Sequence, residues 1–96
     1  MPSEKDIEKK IRKAMENRGA FTMKLHGSPM SAGYPDIIAC YRGRFLGLEV
    51  KKPNTRHTVT PRQRHFLDAI AAAGGVTAVV TSVEEAMLEL DRSELL

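Results

Sequence analysis

The sequence predicts an α/β fold, a mixed sheet with helices packed on it in the order α-β-β-β-α-β-α. Two observations predict it. Apolar residues recur at helical spacing in three stretches, with short alternating or apolar runs between them, and each helical stretch opens at a Ser or Thr placed to cap it.

Ser3 can cap a helix running to about Arg18, with Asp6 at the third helical position and Ile7, Ile11, Ala14 and Met15 forming an apolar stripe; Gly19 stops it. Ala20 to Leu25 alternates, with Phe21, Met23 and Leu25 on one side and Thr22 and Lys24 on the other, the pattern of a half-buried strand. His26 to Tyr34 contains Gly27, Ser28, Pro29, Ser31 and Gly33 and reads as a loop. Asp36 to Tyr41 and Arg44 to Lys51 are strand-like and flank Arg42-Gly43, which predicts an antiparallel hairpin with glycine at a positive φ. Lys52 to Val59 is a polar, basic loop. Thr60-Pro61-Arg62-Gln63 forms a capping box with proline at the first helical position, opening a helix to Ala73 with Phe66, Leu67, Ile70 and Ala71 inward. Gly74-Gly75 ends it before the apolar strand Val76 to Thr81, which a right-handed crossover sets parallel to Arg44–Lys51. Ser82-Val83-Glu84-Glu85 is a further capping box, and Ala86, Met87 and Leu90 face inward on the last helix.

At 96 residues the chain reads as one domain, 1–96, whose modest core would gain from a partner subunit. A 42% hydrophobic and 28% charged composition is that of a folded globular protein and excludes a disordered one. Fifteen Lys and Arg against twelve acids leave a net charge of +3, which favours anionic partners. Cys40 is the single cysteine, which excludes an intramolecular disulfide; its setting, Ile37-Ile38-Ala39-Cys40, reads as that of a small buried hydrophobe. No apolar stretch has the length of a membrane span, and Met1 to Asp6 lacks the apolar core of a signal peptide. The expected location is therefore the cytoplasm, with no membrane partner.

The hairpin register has a chemical consequence. If Tyr41 faces Arg44, counting outward pairs Asp36 with Glu49, their Cβ atoms roughly 5 Å apart on one sheet face. Alternation along the second strand sends Leu46, Leu48 and Val50 to one face and Phe45, Gly47, Glu49 and Lys51 to the other. Two carboxylates and an amine then converge at a strand end. Oxygen ligands on adjacent rigid strands suit Mg²⁺ or Mn²⁺, and a carboxylate-bound divalent ion with a nearby lysine suits phosphodiester hydrolysis. The same trio also serves as a salt-bridged sheet edge, Lys51 neutralising Glu49 and Asp36 capping a turn after Pro35.

Gly33-Tyr34-Pro35-Asp36, twelve residues, then Glu49-Val50-Lys51-Lys52-Pro53, followed by a helix bearing Gln63, resembles the PD-(D/E)xK nuclease superfamily, and within it the VRR-NUC family of virus-type replication and repair nucleases. The likeness runs from Ser3 to about Met87. It implies a restriction-endonuclease-like sheet and a Mg²⁺- or Mn²⁺-dependent DNA endonuclease. Asp36 and Glu49 would bind the metal, the Val50 carbonyl would add a ligand, and Lys51 would serve the nucleophilic water. For a phage-encoded chain the location becomes the host cytoplasm. Gln63 falls where the family carries a glutamine near the site, and equally as the capping-box partner of Thr60. The family's first-helix glutamate is matched by Glu4 or Glu8. Glu8 borders the apolar stripe while Glu4 lies in the first turn, so Glu8 is the choice, against a solvated position for both. Lys52, Arg56, Arg62 and Arg64 are candidates for phosphate contacts, with the alternative of a solvated charged face; His57 and His65 are poor ligands for Mg²⁺.

Stand-alone relatives imply branched DNA such as Holliday junctions as substrate, cut by a homodimer, since one small domain carries one centre and a junction needs two symmetric cuts. A restriction-like, flap or single-strand nuclease of the same fold, or a non-catalytic DNA-binding accessory module, is the alternative.

Overall fold

The computed structural model describes residues 2–25 and 32–96. Among them run α1 (Glu4–Asn17), β1 (Phe21–Lys24), β2 (Ile37–Tyr41), β3 (Arg44–Val50), α2 (Pro61–Ala72), β4 (Val76–Val80) and α3 (Val83–Ser93), with a 3-10 turn at Pro53–Thr55 inside the basic loop. Of the loop expected over His26 to Tyr34, residues 26–31 lie outside the described residues.

The caps act as their residue types require. Ser3 accepts the Asp6 N–H and Asp6 accepts the Ser3 N–H, which satisfies two of the donors that a helix start leaves open. Thr60 and Gln63 do the same for α2. At α3 only half of the expected box forms. Ser82 accepts the Glu85 N–H, but the Glu85 carboxylate turns back to the Thr81 N–H and hydroxyl, and Arg56 bonds both Glu85 and the Thr81 hydroxyl.

The strands form one mixed sheet in the order β1-β2-β3-β4, antiparallel except for the β3–β4 pair. Tyr41 faces Arg44, and Arg42 and Gly43 both take positive φ values, 51° and 80°, as a two-residue turn matched to strand twist demands. β3 is central and is covered on both faces. Leu46, Leu48 and Val50 pack under α1 and α3 with Ile11, Met15, Ile37, Ala86 and Leu90, all at most 1% exposed. Truncating one of these leucines to alanine would cost about 2–5 kcal/mol. Ile70 of α2 packs over Gly47 on the opposite face, where a Cβ would lie 3.0 Å from Ile70 Cδ1.

α2 covers β3 and β4 but not β1, and this decides which side of β1 is covered. On β1 the polar side is the buried one. Thr22 lies under α1, where its hydroxyl donates to Glu16 and accepts from Arg12 Nε. Phe21 and Met23 stay 65% and 47% exposed. Cys40 follows them: it pairs with Phe21 in the register and is exposed, not buried. Ala71, read as inward, is also exposed, and α2 buries fully only Leu67 because its inner face meets little more than β3 and β4.

Candidate active site

One step beyond the Ile37–Leu48 pair, Asp36 lies opposite Glu49 at the open end of the hairpin. Asp36 Oδ2 accepts the Val50 N–H at 2.8 Å, which ties the carboxylate to the neighbouring strand. Glu49 is 2% exposed. Its Oε2 accepts from Gln63 Nε2 at 3.2 Å and lies 3.9 Å from Lys51 Nζ, while its Oε1 is buried with no hydrogen-bond partner among the described residues. Lys51 is itself buried, and its N–H is fixed by the Val80 carbonyl of β4. The expected trio is therefore assembled, and Gln63 joins it.

Burial pushes the Glu49 carboxyl up to about 8; the charge of Asp36 pushes in the same direction, Lys51 opposes, and Glu4 adds to the rise. A buried carboxylate facing another carboxylate is costly unless a proton or a cation lies between them.

On the other side of Asp36 a cleft of about 400 Å³ is lined by Glu4, Lys5, Glu8, Lys24, Leu25, Asp36 and Val50. Both candidate glutamates of α1 thus reach the cleft. Glu8 is 8% exposed and pairs with Lys24 Nζ at 3.4 Å; Glu4 is exposed, yet its charge is felt at Glu49. Lys24 was not a sequence candidate. Its place opposite Ile37, one residue from Asp36, was the signal that marks it.

A hard divalent cation fits this donor set. Asp36 and Glu49 are anionic oxygen ligands on adjacent strands, and the orphaned Glu49 Oε1 is a buried acceptor that a cation would satisfy. Among the described residues no group of three or more His, Cys, Asp or Glu side chains converges on one point, so waters and a main-chain oxygen such as that of Val50 would complete the shell.

The basic residues divide. Arg56 bonds to Thr81, Glu85 and the Val79 carbonyl, pinning the loop after β3 to the start of α3. Burial tends to raise the Glu85 carboxyl, but the Thr81 N–H, the Arg56 guanidinium and the Thr81 hydroxyl together hold it below its ordinary value. Arg56 is thereby committed to structure. Arg64 pairs with Asp68 one turn along α2. Lys52 and Arg62 form no ion pair among the described residues.

No family model matches the chain. Over 82 residues it is 37% identical to a dihydroxy-acid dehydratase of Ignicoccus hospitalis, a match that covers 80% of this chain. The chain spans 15% of the length of that curated relative, so the dehydratase name belongs to a protein most of whose length lies outside the match.

Proposed function

We propose that the chain is a divalent-metal-dependent DNA endonuclease of the VRR-NUC type, built on a restriction-endonuclease-like sheet. The observation that carries this reading is the Asp36–Glu49 pair across one hairpin, with a buried, partnerless Glu49 Oε1 and the Lys51 amine on the same strand end. Asp36 and Glu49 hold the cation. Mg²⁺ or Mn²⁺, when bound, neutralises charge on the scissile phosphate and acidifies water. Gln63 and the Val50 N–H each engage one oxygen of the two carboxylates and leave the other oxygen for the cation. Lys51, braced at its backbone by β4, orients the attacking water and offsets the developing charge on the phosphate. Glu8 lines the cleft beside Asp36, and Lys52 and Arg62 meet the DNA backbone.

Branched DNA is the proposed substrate and a homodimer the proposed form. The open apolar face of β1, β2 and β3, with Phe21, Met23 and Phe45, supports association with a second copy. Incubation with labelled Holliday junctions, flaps, single strands and linear duplex, with Mg²⁺ or with EDTA, tests the reading. Metal-dependent nicking of the branched species is expected, and a protein that binds them all without cutting any would be an accessory module.

A further inference from the structure

The segment Gly33-Tyr34-Pro35-Asp36 is pressed against the sheet and α2 at two glycines. Gly33 has φ +88°, and a Cβ on it would stand 2.5 Å from Arg62 Cγ, so only glycine lets the segment lie against the stem of that arginine. Pro35 is buried over Gly47, where a Cβ would meet Pro35 Cγ at 3.2 Å. Tyr34, between these anchors, is left 41% exposed. Its ring packs edge-to-face on Phe66, with centroids 4.7 Å apart and planes at 85°, and His65 packs on Phe66 in turn at 5.3 Å. In either sense of a T-shaped pair, at least one face of the tyrosine ring is not covered by Phe66.

This aromatic group stands beside the carboxylates. Phe66 follows Gln63 by three residues, which on a helix puts the two on one face with Cβ atoms about 5–6 Å apart. Gln63 reaches Glu49 and Phe66 reaches Tyr34. The exposed guanidinium of Arg62 lies at the same corner and forms no ion pair among the described residues.

We propose that Tyr34, braced by Phe66, stacks an unpaired nucleobase of the strand being cut, with Arg62 on a phosphate next to it. The proposal rests on the nuclease reading and names its substrate class, DNA with a single-stranded nucleotide beside the scissile phosphate. A rigid, half-exposed ring offers a stacking surface to any base, because every base has a π-face. Bases within a duplex already stack on their neighbours and have no face to give, so the ring selects unpaired ones.

The test uses the full chain and a flap oligonucleotide carrying 2-aminopurine at the unpaired position, titrated in EDTA so that binding is read without cleavage. Wild type is expected to quench the probe, and Tyr34→Trp to keep the quench. Tyr34→Leu, which preserves an apolar contact with Phe66, should lose it and bind about tenfold or more weakly. Equal quenching and affinity in Tyr34→Leu overturns the proposal. An abasic site at that position removes the base instead of the ring. It should weaken wild type but not Tyr34→Leu, whereas an equal loss in both overturns the proposal without relying on any variant's fold. The two readings separate cleanly. Tyr34-dependent quenching by a protein that cuts nothing in Mg²⁺ leaves the stacking site and removes the nuclease, while metal-dependent cutting indifferent to Tyr34→Leu and to the abasic site does the reverse.

Discussion

Gln63 Nε2 donates to Oε2 of Glu49 at 3.2 Å, while Gln63 Oε1 accepts the Thr60 N–H at 2.9 Å. One amide therefore caps α2 and steadies a site carboxylate, using its carbonyl oxygen as acceptor and its NH₂ as donor. The two uses of Gln63 that the sequence leaves open are met at once.

Gln63→Glu keeps the acceptor for Thr60 but sets a third carboxylate against Glu49. Helix content should be unchanged by circular dichroism, with cleavage down roughly 10–100-fold, the usual cost of losing a partner that orients a metal ligand. Gln63→Ala should lose the cap as well and melt lower by the equivalent of about 0.5–2 kcal/mol. Wild-type turnover in Gln63→Glu would reduce the bond to Glu49 to a packing detail.

The Glu49 carboxyl, raised in the folded chain to about 8 from an ordinary 4.5, keeps a proton that the unfolded chain has lost throughout that window. Stability of the metal-free protein therefore falls as pH rises across it. Thermal melts in EDTA should drop by several degrees over this range, Glu49→Gln should flatten the slope, and Mg²⁺ should restore the wild type at the alkaline end. Asp36→Asn and Glu49→Gln should both abolish cleavage, and full activity in either purified variant removes the metal assignment.

Lys51→Ala should cost about a hundredfold or more in turnover while DNA affinity in EDTA is retained, because the amine acts on the reacting atoms. A variant that no longer melts cooperatively would instead mark Lys51 as the neutraliser of buried Glu49.

Glu8→Gln should impair turnover more than Glu4→Gln, since Glu8 is buried in the cleft wall and held by Lys24. Steady-state kinetics of the two purified variants decides between them. A larger effect at Glu4 would place the first-helix acid in the first turn.

Phe21→Ser should shift a wild-type dimer to monomer by light scattering without lowering the melting temperature of the monomer, as Phe21 is 65% exposed. A wild-type monomer that nicks Holliday junctions in pairs would separate the paired cuts from self-association.

Much of this architecture is legible in the sequence because it is local. The caps at Ser3 and Thr60, and the register set by Arg42-Gly43, depend on residues within a few positions of one another, and the register alone brings Asp36 to Glu49. What is not legible depends on which elements meet. Alternation in β1 separates Phe21 and Met23 from Thr22 but is silent on which side is covered, and that is decided by α2 crossing only β3 and β4. Likewise the charge of Arg56 is visible, but its partner Glu85 sits 29 residues away on another element, so its pairing to the start of α3 cannot be read from the local sequence. Tyr34 hides in plain view inside Gly33-Tyr34-Pro35-Asp36, since its exposure follows from contacts with Arg62 and Gly47.

The tight turn at Arg42-Gly43 also bears on how the chain folds. When both are ionised Asp36 and Glu49 oppose each other, yet a short hairpin brings them together, and closing so small a loop costs little chain entropy. Contacts of low sequence separation also favour rapid folding. The electrostatic opposition therefore falls on the segment whose closure is cheapest, and the later parallel docking of β4 is left to join strands that carry no like charges in register. Slowing this chain's refolding should accordingly take a stiffer or longer link between β2 and β3 far more than it takes high pH.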